Sequence, residues 1–141
     1  MTKKIKAQGG CLCGAVSVTV EEMRPGFGAC HCSMCRQWGG GPMLSVGCGT
    51  AVRFTGEEHI SVFHSSEWAE RGFCKQCGSH LFYKMKPTGA YNIPVGLFGE
   101  KIKPRFTLQV YIDKKPDNYA FANKTRNVTE KEILAMYAPD S

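Results

Sequence analysis

The chain has 141 residues, the length of one ordinary domain, and its 43% hydrophobic and 21% charged residues exclude wholesale disorder. Its 18 basic and 12 acidic residues leave a formal charge of +6, but the cations fall in small scattered groups such as Lys3/Lys4/Lys6, Lys84/Lys86 and Lys101/Lys103/Arg105, which argues against nucleic acid as a partner. Eight cysteines are short of the roughly 8–10% that marks a small disulfide scaffold.

The first lysines are followed by no apolar stretch, so the N-terminus does not read as a secretory signal. The uncharged run Ala7–Val20 is too short and too rich in glycine to cross a bilayer, which needs about twenty apolar residues. The expectation is a cytoplasmic chain with no membrane segment. Thiols stay reduced there, and clustered cysteines then usually mean metal.

In chain order, the first clear strand signal is Val16-Ser17-Val18-Thr19-Val20, which puts three valines on one face. Weaker strand candidates follow at Met43–Val46, Val52–Thr55, His59–His64, Trp68–Phe73, Leu81–Lys84 and Ile93–Phe98, most of them separated by turn residues such as Thr55-Gly56 and Thr88-Gly89. Phe106 to Ile112 alternates again, with Phe106, Leu108, Val110 and Ile112 on one face. Thr129-Glu130-Lys131-Glu132 is a capping box. It predicts a helix over about 129–137 that packs Ile133, Leu134, Met136 and Tyr137 on a sheet. The fold class read from this pattern is mainly β, largely antiparallel, as a single domain over 1–141 with a core at about 9–121 and a short C-terminal helix.

The cysteines fall as Cys11-x-Cys13, Cys30-x-Cys32-x-x-Cys35, a lone Cys48, and Cys74-x-x-Cys77. Zinc takes four tetrahedral ligands, and ligands two or three residues apart reach one ion from a single tight turn. Gly78 suits the left-handed turn that such a knuckle needs after Cys77. Cys11/Cys13 and Cys74/Cys77 together make one closed set of four, leaving Cys30, Cys32 and Cys35 as three. Spacing alone does not force that partition. Cys48 could complete the three, and His31, His64 or His80 could stand as a fourth ligand.

Three motifs in order settle more. Gly10-Cys11-x-Cys13-Gly14-x-Val16, then Cys30-His31-Cys32-Ser33-x-Cys35-Arg36, then Arg71-Gly72-Phe73-Cys74-x-x-Cys77-Gly78-Ser79-x-Leu81 resemble the glutathione-dependent formaldehyde-activating enzyme family, which also includes centromere protein V. The resemblance runs from about Gly9 to Tyr83 and continues loosely to about Phe121, where Tyr111-x-Asp113-Lys114-Lys115-Pro116 resembles the family's last strand and turn. It implies a β-tent fold of antiparallel sheets around a structural zinc. It also implies two zinc ions, a structural one on Cys11, Cys13, Cys74 and Cys77 and a catalytic, labile one on Cys30, Cys32 and Cys35. The chain departs from the pattern at Asp117-Asn118-Tyr119, where family members often carry Trp, and at Cys48, which belongs to no family motif.

The enzyme implied is a carbon–sulfur lyase. A small thiol such as glutathione would take the open zinc position, lose its proton, and add to formaldehyde or a similar small aldehyde; the reverse reaction breaks the same bond. Arg36 is a candidate partner for the carboxylate of an anionic thiol, with a plain surface role as the alternative. His31 is the candidate for the second group that the chemistry needs. Trp38 before the three glycines is read as a buried anchor or a mobile lip, and Ser65, Ser66 and Arg71 as family positions that sheet hydrogen bonding explains equally well. The competing function is a non-catalytic zinc module binding protein or nucleic acid. It rests on Phe82, Tyr83, Tyr91 and Phe98 interleaved with Lys84, Lys86 and Lys101.

Overall fold

Alternation at Val16, Val18 and Val20 sets the first sheet, because all three side chains are buried while Ser17 between them is exposed. The computed structural model describes residues 4–137. Its strands are β1 (Ile5–Gly10), β2 (Ser17–Met23), β3 (Gly26–Cys30), β4 (Met43–Gly49), β5 (Val52–Thr55), β6 (Ile60–Phe63), β7 (Ala69–Cys74), β8 (His80–Met85), β9 (Tyr91–Pro94), β10 (Arg105–Val110) and β11 (Arg126–Val128). The helices are α1 (Ser33–Gly39) and α2 (Glu130–Tyr137). The protein is mainly β. No described helix is long and apolar enough to cross a membrane.

The chain groups into two units, one formed by the residues up to Pro25 with Ser45–Pro104, the other by Gly26–Leu44 with the chain from Arg105 onward. In the first unit β1, β2 and β5 pair antiparallel, with Val18 opposite both Gly9 and Phe54. The remaining strands of this unit run β4–β9–β8–β7–β6, also antiparallel. Val46, Cys48, Ala69, Cys74, Leu81 and Ile93 are fully buried there. Phe54, Phe82 and Tyr91 form a ring cluster with centroids 5.2–5.6 Å apart. Gly72 lies under the Phe82 ring so closely that any Cβ would collide with it, which explains glycine in the middle of β7.

The second unit departs from the antiparallel expectation. Here β10 pairs in parallel with β3 on one side, Val110 opposite Cys30, and with β11 on the other, Leu108 opposite Arg126. The alternation over Phe106–Ile112 is real but stops at Val110, and its buried residue is not an apolar one: Gln109 is buried while Phe106, Leu108 and Val110 are half-buried. The reason is a hydrogen bond that only the tertiary structure reveals, described below.

Several boundaries also move. Ile93–Phe98 is a strand only as far as Pro94, after which Val95–Phe98 is a 3₁₀ turn, since Pro94 and Gly96 end the ladder. Trp68 is 42% exposed and lies just outside β7. The strands β1, β3 and β11 and the helix α1 carry no periodic signal in the sequence. At the C-terminus the capping box forms as read, with Thr129 N–H donating to Glu132 Oε1 at 2.9 Å and Glu132 N–H to Thr129 Oγ1 at 3.3 Å. The packing does not follow: Ile133 is half-buried, but Leu134 and Met136 are 40% and 50% exposed, so the apolar face of α2 is mostly open to solvent. The Tyr137 side chain lies outside the described residues.

Candidate metal centres

Two tight turns build the first centre. In one, Cys11 N–H donates to Val16 O at 3.0 Å and Gly14 N–H to Cys11 O at 3.1 Å. In the other, Gly78 N–H donates to Cys74 O at 2.8 Å, and Gly78 takes the left-handed φ of +80° that its sequence position calls for. Cys11, Cys13, Cys74 and Cys77 thereby come together, all four sulfurs within 4.8 Å of one another. Cys11 and Cys13 sulfurs are 3.7 Å apart, as are those of Cys13 and Cys74. A disulfide would bring such a pair to about 2.05 Å. A tetrahedron with 2.3 Å metal–sulfur bonds has an edge of about 3.8 Å, so the donor set fits a zinc ion.

Donors from the chain favour the thiolate form at Cys11 and Cys77. Val16 N–H points at Cys11 Sγ at 3.3 Å. Ser79 Oγ accepts from Leu12 N–H at 3.1 Å and lies 3.1 Å from Cys77 Sγ, to which it donates. The Ser79 hydroxyl first, then the backbone N–H groups of Ser79 and Cys13, bring the Cys77 thiol down to about 5.

The second centre lies wholly in the second unit. Cys30 ends β3, Cys32 is the N-cap of α1 with its sulfur accepting from Cys35 N–H at 3.3 Å, and Cys35 is buried in the first turn. The three sulfurs lie within 4.8 Å of one another, and among the described residues of this unit no fourth thiol, imidazole or carboxylate joins them. Thiols so crowded cannot all ionise without a cation: contacts with Cys32 and Cys35, and then burial, push the Cys30 thiol far above its ordinary value. This donor set also fits a metal ion, with one tetrahedral position left over.

Cys48, weighed as a fourth ligand, has a different role in the other unit. It is fully buried on β4, its thiol is 3.4 Å from Val46 O, and burial pushes it up to about 12. His64 lies 4.0 Å from the Glu70 carboxylate. Arg71 is buried with its guanidinium over the Tyr83 ring and its Nε donating to Ser65 Oγ at 3.2 Å, while Ser66 Oγ accepts from Trp68 N–H, so these positions serve the sheet. Trp38 is half-buried within α1. Phe82 and Phe98 are buried, Tyr83 is half-buried, and Tyr91 belongs to the ring cluster.

His31 is placed unexpectedly. Its ring is fully buried, with Nε2 2.8 Å from Gln109 Oε1 and Nδ1 2.9 Å from the Tyr119 hydroxyl. Gln109 Nε2 donates to Thr125 Oγ1 at 2.9 Å, and that hydroxyl donates to Asn127 Oδ1 at 2.7 Å. The bonds fix one direction throughout: Tyr119 O–H to His31 Nδ1, His31 Nε2–H to Gln109, Gln109 to Thr125, Thr125 to Asn127. Burial, with the Lys115 and Arg36 charges, holds the imidazole below its usual range against the opposing Gln109 bond, so it is neutral. With both nitrogens engaged, by Gln109 and Tyr119, His31 anchors these two side chains. No local signal in the sequence ties it to Gln109 or Tyr119, which lie 78 and 88 residues away. Gln109→Leu leaves a buried imidazole N–H without an acceptor; the expected result is a loss of about 1–3 kcal/mol, read as a lower denaturation midpoint at unchanged slope.

Beside α1 the same unit carries a cleft of about 750 Å³, lined by Ser33, Arg36 and Gln37 on one side and by Asn118, Tyr119 and Phe121 on the other. Its size suits a small molecule. Burial raises the Tyr119 phenol above its usual range, against the nearby Arg36 charge, which lowers it.

Residues 6–114 match the model of the glutathione-dependent formaldehyde-activating enzyme family. A Schizosaccharomyces pombe protein named as an uncharacterized lyase is 36% identical over 128 residues, covering 90% of this chain and 93% of its own. A crystal structure of a Rhodobacter sphaeroides protein is similar in fold, with a TM-score of 0.58 and 25% identity over 69% of this chain and 91% of that one.

Proposed function

We propose, because the chain belongs to the glutathione-dependent formaldehyde-activating enzyme family, that it is a carbon–sulfur lyase with two zinc ions, a catalytic one on Cys30, Cys32 and Cys35 and a structural one on Cys11, Cys13, Cys74 and Cys77. The observation that carries the reading is the contrast between the two clusters: four thiols make a closed set, three leave a position free. When bound at the three, zinc supplies a vacant coordination position that acidifies an incoming thiol. The reaction joins a thiol sulfur to an aldehyde carbon. The carbon–oxygen π bond opens, the thiol proton ends on the former carbonyl oxygen, and the product is an S-hydroxymethyl thioether.

The chain's own residues hold this chemistry in place. Cys32 and Cys35 are fixed by the first turn of α1, and the backbone between Cys30 and Cys32 is tied by His31 N–H to Val110 O at 3.1 Å and by Arg36 Nε to His31 O at 2.9 Å. His31 anchors the Tyr119 side of the cleft through the phenol hydroxyl. All eight cysteines are free, which suits a reducing compartment, and we place the protein in the cytoplasm with glutathione and a small aldehyde as its partners.

The test is exchange NMR on glutathione and formaldehyde with zinc-loaded protein, the uncatalysed rate subtracted. Excess exchange proportional to enzyme is expected. Its absence at micromolar enzyme removes this substrate pair.

A further inference from the structure

His31 is the joint between β3 and α1, and it separates two of the three clustered thiols: Cys30 ends the strand and Cys32 caps the helix. Thiols two positions apart face one point only while the residue between them keeps its backbone angles. His31 belongs to neither element, so those angles depend on the groups that hold it. Its N–H donates to Val110 O at 3.1 Å and its carbonyl accepts from Arg36 Nε at 2.9 Å. Its ring is fully buried, with Nε2 2.8 Å from Gln109 Oε1 and Nδ1 2.9 Å from the Tyr119 hydroxyl, and it stacks on Tyr119 with centroids 5.5 Å apart.

The side-chain partners come from far along the chain and are themselves held. Gln109 is buried on β10 and its Nε2 donates to Thr125 Oγ1 at 2.9 Å. Thr125 spends its own proton on Asn127 Oδ1 in β11, at 2.7 Å, so it accepts from Gln109 and leaves the amide oxygen for His31. A buried amide bonded at both ends is oriented as well as satisfied. The family match ends at residue 114, and Tyr119 stands in the segment where the chain departs from the family pattern. The clamp on His31 thus draws on residues beyond that match.

We infer that Gln109 and Tyr119 are positioning residues for the three-cysteine centre: acting through the His31 ring, they hold Cys30 and Cys32 as a preformed pair and slow the loss of its metal. The inference rests on the metal site proposed above and not on the reaction. Groups that orient metal ligands without touching the ion set affinity by about 10- to 100-fold.

Zinc-loaded protein mixed with an excess of a chromogenic chelator should release its two ions at separate rates, the open centre first. In Tyr119→Phe the first ion is expected to leave about tenfold faster, and in Gln109→Leu about 10- to 100-fold faster, while the second leaves within about twofold of wild type. Tyr119→Phe removes one hydroxyl at a half-buried position and should melt within about 5 °C of wild type. The double variant His31→Leu/Gln109→Leu separates positioning from plain stability. It replaces both polar partners with apolar ones, so the melting temperature recovers relative to Gln109→Leu while fast release of the first ion persists.

A first-ion rate within about twofold of wild type in either single variant overturns the inference, as does equal acceleration of both ions. So does a double variant whose release returns to the wild-type rate together with its melting temperature, or a single ion per chain in reduced wild type. If Gln109→Leu fails to fold, Tyr119→Phe alone decides. Faster first-ion release in the variants, with no catalysed exchange in wild type, keeps the inference and sinks the lyase reading. Catalysed exchange with release indifferent to the variants does the reverse.

Discussion

Cys74→Ser is expected to lose one zinc ion per chain and to lower the melting temperature by on the order of 15 °C. Cys74 is fully buried at the end of β7, and its cluster joins the turn after β1 to the turn after β7, since Cys13 and Cys74 are 61 residues apart in sequence. A structural zinc contributes about 10–16 kcal/mol of apparent binding free energy to folding. Loss of one of four ligands sacrifices at least about 4 kcal/mol of that, and a domain of this size converts it to a shift of this order. Calorimetry with metal analysis checks it. A Cys74→Ser protein that melts within a few degrees of wild type would mean that the four thiols pack as ordinary core residues.

Cys32→Ser should separate catalysis from folding. The Cys32 sulfur caps α1 by accepting from Cys35 N–H at 3.3 Å, and serine is among the preferred residues at that position, so the helix start survives the exchange. What disappears is one of three thiolates. The expected outcome is a melting temperature within about 2 °C of wild type, one zinc fewer per chain, and at least about a thousandfold loss of exchange rate, the several kcal/mol that a metal centre supplies. Full activity in Cys32→Ser would remove the three-cysteine centre from the chemistry. A large loss of stability instead would assign Cys30, Cys32 and Cys35 to a second structural site.

What was legible in the sequence followed from short-range physics. The valines of β2, the knuckle at Cys74-x-x-Cys77 with its left-handed Gly78, and the capping box at Thr129 each depend on residues only a few positions apart, and each stands in the structure as read. The two cysteine clusters were legible because their spacings are unusual and their motif order matches one family. The second unit was harder. Gly26-Phe27-Gly28-Ala29-Cys30 carries no alternation, so β3 is made a strand by its partner β10 and not by its own propensity. Helix α1 is seven residues long and ends in glycines, too short for a periodic face.

Gln109 is the clearest case of tertiary context overriding pattern. It sits at a polar position of an alternating strand and is nonetheless buried, because the imidazole of His31 supplies the partner that makes burial tolerable. The opposite error occurs in α2, where Leu134 and Met136 read as a core face and remain exposed.

An open three-cysteine centre beside a closed four-cysteine one differs from a lone structural site in the number and lability of its zinc ions. Zinc per chain should be measured in freshly purified, fully reduced protein, before and after a mild chelator and with and without glutathione. Two ions are predicted, one of them lost to the chelator and shielded by glutathione, as an open centre on Cys30, Cys32 and Cys35 requires. A single tightly held ion in fully reduced protein would contradict it, leaving only the Cys11/Cys13/Cys74/Cys77 site.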